Sequence, residues 1–330
     1  MTPAAAEQLS RGTQGTGLPI GLGPFDPIVR EARRGLQRSL AHMIIGQSEP
    51  RQRSLREQAE GWFGPDSMTW QVHQDAAILI GGLRALMLQT MHPLAMAGVA
   101  EHSDYKHDPL ARLWRTSAYV GAVTFGSTDE AEAAIRGVNL AHRKVHGVAP
   151  DGRPYSANDP ELKRWVHLAM VDSFLTTYQR YGSHRLTPAQ ANAYLSEQAF
   201  VGGKLGVDGC PTTVDDLRAY FLDQRSTGQL LATPVARDTV KWLLRVKLST
   251  ATRAPYALLA AAAVNSLPAW VRLQLRLPIL PITNRLAVRP SAAALVRVVG
   301  WAMSAPGTAR DNGARRDSDP GKAGATVQSQ

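Results

Sequence analysis

The sequence predicts an all-α fold, a single globular helical domain with flexible ends. Three observations carry this expectation. Apolar residues recur at helical spacing in one segment after another, helix-cap signatures punctuate them, and strand-like alternation does not recur. A length of 330 residues suffices to bury a sizeable core, and 44% apolar with 19% charged residues is a globular composition.

Residues 1–25 are rich in Gly, Pro, Ser and Thr without apolar periodicity and read as a flexible tail; 26–304 reads as the domain; the polar stretch 305–330 reads as a second tail. A helix is predicted over 29–58, followed by one long helical stretch from Met68 to Met91. There Ala76, Ile80, Leu83, Met87 and Thr90 step at helical spacing before the His92-Pro93 break. Asp108-Pro109 supplies an N-cap and a first-turn proline for a helix through Val123. Ser127-x-x-Glu130 is a capping box, opening a helix predicted to run to Gly147. Asp159-Pro160 opens another that ends near Gly182. Further helices are predicted over 188–205, 212–225, 234–253, 255–276 and 290–303. The apolar stretch 256–264 is too short to cross a bilayer, and Pro268, Pro278 and Pro281 interrupt the chain beyond it, so no spanning helix is expected.

Composition excludes several chemistries. The single cysteine, Cys210, rules out an internal disulfide, a cysteine-built zinc or iron–sulfur cage and Cys-x-x-Cys-His attachment of haem. The first residues carry neither a basic stretch followed by an apolar one nor a twin-arginine pair, which sets the expectation of a cytoplasmic chain. No His-Glu-x-x-His, Walker loop, strand-following Gly-x-Gly-x-x-Gly, Gly-x-Ser-x-Gly or paired Glu-x-x-His is present.

The net charge of +10 is unevenly spread: from Arg237 to Gly300 ten basic residues face one acidic residue, Asp238. Because these bases alternate with apolar stretches such as Ala257 to Val264, the segment suits an anionic membrane surface better than nucleic acid. Peripheral membrane contact through 237–300 is one expectation, and solvated faces of ordinary core helices are the plainer one.

The capped helix after Ser127 carries the first candidate site. At about 100° per residue, Ala131, Ile135, Val138, His142 and Val145 fall within a sector of about 80°, while Arg136, Arg143 and Lys144 point elsewhere. His142 is therefore a histidine inside an apolar stripe, whose ring needs a partner; a metal or a neighbouring carbonyl would each supply one. His146 falls at the stripe's edge, and a His142-x-x-x-His146 metal clamp lacks an acidic ligand identifiable by spacing. On the preceding helix Arg112, Arg115, Thr116 and Tyr119 share one face, fit either for an anionic or polar ligand or for ordinary ion pairs. His92 and Glu101-His102-Ser103-Asp104 gather titratable groups just before that helix, lining a pocket or forming a polar loop. His167, with Val171, Phe174 and Tyr178, is a second histidine on an apolar stripe.

Together these residues carry a pattern. His92-Pro93, Gly98-Val99-x-x-His102-Ser103 and Pro109-x-x-Arg112-Leu113-x-Arg115-Thr116 are followed by His142-x-x-Val145-x-Gly147, Tyr155-x-Ala157-x-Asp159-Pro160 and Trp165-Val166-His167. This order and spacing resembles the family of latex-clearing protein, or rubber oxygenase, and the mpaB-like oxygenases. The resemblance implies a helical domain with a central haem pocket, haem b as cofactor, and an oxygenase that uses dioxygen on a hydrophobic, unsaturated, isoprenoid or lipid-like substrate. It implies His142 as the iron ligand, with Arg112 and Thr116 supporting the pocket. Arg115 stands where the rubber oxygenase has a lysine able to cap the iron. A guanidinium stays protonated and ligates poorly, so that feature is expected to be missing here. Glu101 is the nearest acidic candidate for acid–base work, and His146 and His167 are further candidates for the cofactor site. A haem- or lipid-binding protein without turnover is the alternative.

Overall fold

The structure is a computed structural model that describes residues 61–103, 111–279 and 281–303. The two expected tails, the expected helix over 29–58 and the Asp108-Pro109 cap lie outside the described residues. Helices dominate: α1 (Met68–Gln74), α2 (Ile78–Gln89), α3 (Pro93–His102), α4 (Ala111–Phe125) and α5 (Thr128–His142) come first. A small antiparallel hairpin follows, β1 (His146–Val148) pairing with β2 (Pro154–Ser156) so that Gly147 faces Tyr155. Then come α6 (Pro160–Tyr181), α7 (Pro188–Lys204), α8 (Val214–Ser226), α9 (Pro234–Leu244), α10 (Thr250–Ser266) and α11 (Ala269–Gln274). The last helical run comprises α12 (Pro281–Thr283), a π turn (Asn284–Val288) and α13 (Arg289–Met303). The domain is all-helical, with the hairpin as its only sheet among the described residues.

Helix α2 is the axis of the core. Ile80, Leu83, Met87 and Leu88 are buried on it, and it packs against α6 on one side and α10 on another, as an all-round apolar helix must. Its one charge, Arg84, is buried and bridges all three helices, pairing with Asp172 at 2.7 Å and donating to Ser173 Oγ at 2.6 Å and to the Ser266 carbonyl at 3.3 Å. Helices α1, α4 and α7 meet around another buried polar group. His73 Nδ1 lies 2.7 Å from Thr124 Oγ1 and Nε2 3.1 Å from the Tyr194 hydroxyl.

The caps read at Ser127 and Asp159 form as expected. Ser127 and Glu130 satisfy each other's backbone N–H groups, and the Asp159 carboxylate accepts from the N–H groups of Glu161 and Leu162 ahead of a helix that ends before Gly182. Five expectations need correction. The stretch Met68–Met91 is two helices, because Asp75 turns its carboxylate onto the N–H of Ala77 at 2.8 Å and of Ser183 at 2.9 Å, diverting the chain from the helix. The helix expected to reach Gly147 stops at His142, and its residues 146–148 are strand. The turn Ala149-Pro150-Asp151-Gly152, with Gly152 at φ +86°, reverses the chain, and Tyr155 gains a buried position in exchange. The helix expected over 234–253 ends at Leu244, and 255–276 splits at Leu267-Pro268. Finally, the prolines do break the chain after α10, at Pro268 and between Gln274 and Pro281, but beyond them Pro281–Met303 is one helical stretch of 23 residues, long and apolar enough to cross a membrane by length and composition, where no such helix was expected.

Three buried histidines make stability acid-sensitive. Burial lowers the pKa of His73 from 6.5 to about 3, and those of His92 and His167 to about 4. They fold neutral, whereas in the unfolded chain they take up protons near pH 6.5. The stability they confer is therefore present above pH 6.5 and lost as the pH falls toward 4, at about 1.4 kcal/mol per pH unit for each group. Thermal unfolding followed between pH 7 and pH 4.5 is expected to show a steepening loss of Tm that a His73→Gln variant shows less of.

Candidate cofactor and active site

The site begins with the α4–α5 pair. The Gly126-Ser127 turn, closed by the capping box, folds α5 back along α4. The start of α4, with Arg112, Arg115 and Thr116, therefore lies at the same end of the pair as the last turn of α5, with His142. The stripe predicted on α5 forms: Ala131 and Ile135 are buried, Val138 and His142 half-buried, and Arg136, Leu140, Arg143 and Lys144 exposed. Val123, Ile135, Val201, Leu205 and Val207 make the apolar cluster beneath, with Tyr119 and Val138 packed on it.

Arg115 is exposed and Thr116 half-buried. Among the described residues Arg115 forms no ion pair, so the ordinary reading of that face, salt bridges to Asp or Glu, is not realised there. Tyr119, one turn further along α4 from Thr116, buries its hydroxyl without a hydrogen-bond partner, and burial pushes its pKa well above the usual tyrosine range.

The end of α5 is tied down by residues that periodicity did not single out. Lys163, in the first turn of α6, donates to Asn139 Oδ1 at 2.9 Å and to the Leu205 carbonyl at 3.2 Å, while Asn158 Nδ2 reaches the Asn139 carbonyl at 3.5 Å. Asn139 lies one turn before His142, so this clamp fixes the turn that carries the histidine. Partial burial pulls the Lys163 pKa below its usual value.

Glu101 ends α3 and meets the hairpin. Its exposed carboxylate accepts a short hydrogen bond from the hydroxyl of buried Tyr155. Burial first, and then Glu101's hydrogen bond and charge, push the Tyr155 pKa up to about 12. Gly147 makes room for this contact, since a β-carbon there would lie 2.8 Å from Tyr155 Oη and 2.9 Å from Glu101 Oε2. A Gly147→Ala substitution is expected to force the two apart at a cost of about 1–3 kcal/mol, seen as a lowered Tm.

The remaining candidates lie elsewhere. His146 is exposed on β1, not on the face of α5, so a one-helix His142–His146 clamp does not form. His167 is buried in α6 and faces α7. Its Nε2 donates to the Gln198 carbonyl at 2.9 Å, leaving Nδ1 as the lone-pair nitrogen, buried and without a hydrogen-bond partner. His92 is buried beside Trp165, with ring centroids 6.2 Å apart and its Nδ1 likewise unpartnered. Among the described residues no three His, Cys, Asp or Glu side chains gather as a bare-metal cage.

The domain is all-helical, and its family makes it of oxygenase type. The chain belongs to the family described as "ER-bound oxygenase mpaB/B'/Rubber oxygenase, catalytic domain", which matches residues 70–301. Among solved structures it is similar to latex clearing protein LCP in the closed state, with a TM-score of 0.52 and 17% sequence identity, over 88% of this chain and 76% of that one. At that identity the likeness speaks for the fold alone. No curated protein matches.

Proposed function

We propose that this oxygenase binds haem b through His142 and uses dioxygen to oxidise a hydrophobic, unsaturated substrate of isoprenoid or lipid-like character. The observation that carries the proposal is the placement of His142. It is one imidazole at the end of an apolar stripe, clamped through Asn139, at the same end of a helix pair as Arg112, Arg115 and Thr116. The donor set fits the group. A porphyrin brings its own four nitrogens, so the protein need offer only an axial ligand, and Arg115, which forms no ion pair among the described residues, would be available for a propionate. The lone cysteine fits non-covalent haem b.

Haem b, when bound, supplies an iron that can activate dioxygen for attack on a carbon–carbon double bond. His142 would hold the iron, and its place at a helix C-terminus keeps the imidazole electron-rich. Arg115 would bring a positive charge to the pocket and, as a guanidinium, would not ligate the iron. Thr116, the next residue along α4, would add a hydroxyl to the pocket, and the unpartnered Tyr119 hydroxyl would offer a donor from the apolar side of α4. The apolar residues of α5 and α7 exclude water, which suits a substrate without polar handles. Glu101 would exchange a proton with a reacting group, with Tyr155 fixing one of its oxygens.

The test is an absorption spectrum of the chain produced with ample haem or reconstituted with haemin. A Soret band at one haem per chain is expected; a colourless protein that cannot be reconstituted would overturn the reading. A second reading, haem or lipid binding without turnover, is favoured by one observation: the carboxylate best placed for acid–base work is already engaged by Tyr155. Dioxygen uptake separates the two.

A further inference from the structure

From Thr239 to Arg310 the sequence has no acidic residue, so the basic side chains of this third of the chain have no local carboxylate to neutralise them. Among the described residues its one ion pair is Lys241 with Asp238. The same segment holds a dense set of exposed large apolar side chains. Leu273 is 65% exposed, Ile282 73% and Leu286 72%, with Val298 and Trp301 nearly half exposed. Arg272, Arg276, Arg285, Arg289 and Arg297 are interleaved with them. Soluble surfaces scatter such residues singly; here they follow one another along α11, α12, the π turn and α13.

The helical run Pro281–Met303 could be read as a span, but only 22% of its most apolar stretch is buried, and two further facts argue for lying flat. Ala292, Val296, Val299 and Ala302 are buried where α13 packs on α10 and α6, so one stripe is committed to the domain core. Arg289 and Arg297 fall well inside the run, where crossing would carry their charge into hydrocarbon. On a surface the same residues cooperate: arginines meet headgroups while Ile282 and Leu286 enter the boundary below them.

We infer that the segment from Leu273 to Met303 is a docking face for an anionic lipid bilayer, lying in the plane of the membrane. The charge argues for lipid, because an apolar face built for a second copy of this chain would bring the same unneutralised arginines together. The inference is independent of the haem reading and survives its failure.

Flotation of the full chain with phosphatidylcholine vesicles, with and without phosphatidylserine, tests it. Binding is expected only with phosphatidylserine, and it should weaken as salt is raised. An Arg285→Gln/Arg289→Gln pair should lose about thirtyfold in vesicle affinity at low salt. An Ile282→Ser/Leu286→Ser pair should also lose binding, with far-UV circular dichroism unchanged, since all four side chains are exposed. Either pair alone suffices if the other misfolds. No flotation at low salt, or equal flotation of wild type and both variants, would overturn the proposal. So would a wild-type dimer that only the Ile282→Ser/Leu286→Ser variant dissociates, which would assign the face to a second copy.

Discussion

Replacing His142 with alanine is expected to abolish haem retention, with loss of the Soret band and of all oxygenase turnover, while the fold persists. The side chain is half-buried at the last turn of α5, and the residues that hold that turn, Asn139, Asn158 and Lys163, do not depend on it. Removing an axial ligand leaves a site that must bind through propionate and apolar contacts alone, so affinity should fall by more than the roughly 10–100-fold typical of outer-shell partners. His146→Ala, on the exposed face of β1, is the control and should keep its haem. His167→Gln removes a lone-pair nitrogen from the interior of α6. If His167→Gln loses the haem and His142→Ala keeps it, the ligand assignment is wrong even though the oxygenase reading stands.

The second large effect concerns stability. Arg84→Ala is expected to destabilise the domain by about 3–5 kcal/mol, because it leaves Asp172, Ser173 and the Ser266 carbonyl facing a cavity without their donor. Asp172 keeps some solvent contact, with its side chain 24% exposed, so the lower half of that range applies. At about 2–4 °C per kcal/mol for a domain this large, Tm should drop by about 10 °C. Replacing both partners, Arg84→Met with Asp172→Leu, should recover most of the loss, since an apolar pair of similar size carries no desolvation penalty. If Arg84→Ala unfolds at the wild-type temperature, the bridge between α2, α6 and α10 contributes nothing.

Much of the fold was legible because its signals are local. Ser127, Glu130, Asp159 and Pro160 announce helix starts within four residues, and the stripe through Ala131, Ile135, Val138 and His142 follows from the helical repeat alone. The hairpin was also within reach: Pro150-Asp151-Gly152 is a turn signature between Val148 and Tyr155, masked by an apolar stripe that continues to Val145. Other features had no local signal. Arg84 meets Asp172 and Ser266 only after the chain has folded three helices together, and a lone arginine in an apolar helix looks the same whether it is paired or snorkelling. Lys163 and Asn139 likewise belong to different helices. Glu101 was found by its closeness in sequence to the pocket residues, but its partner Tyr155 came from across the hairpin, and Gly147 between them shows why that position carries no side chain. Periodicity tells which face of a helix is turned inward; it does not tell what meets it.

The central claim, an oxygenase working on a hydrophobic alkene at haem held by His142, is tested most directly by dioxygen uptake. The haem-loaded chain would be supplied with a short polyisoprenoid in an oxygen electrode, beside His142→Ala. The account predicts oxygen consumption dependent on substrate and haem, carbonyl-bearing cleavage products, and neither in the variant. Full haem occupancy without oxygen uptake across a panel of isoprenoid and lipid alkenes would contradict it.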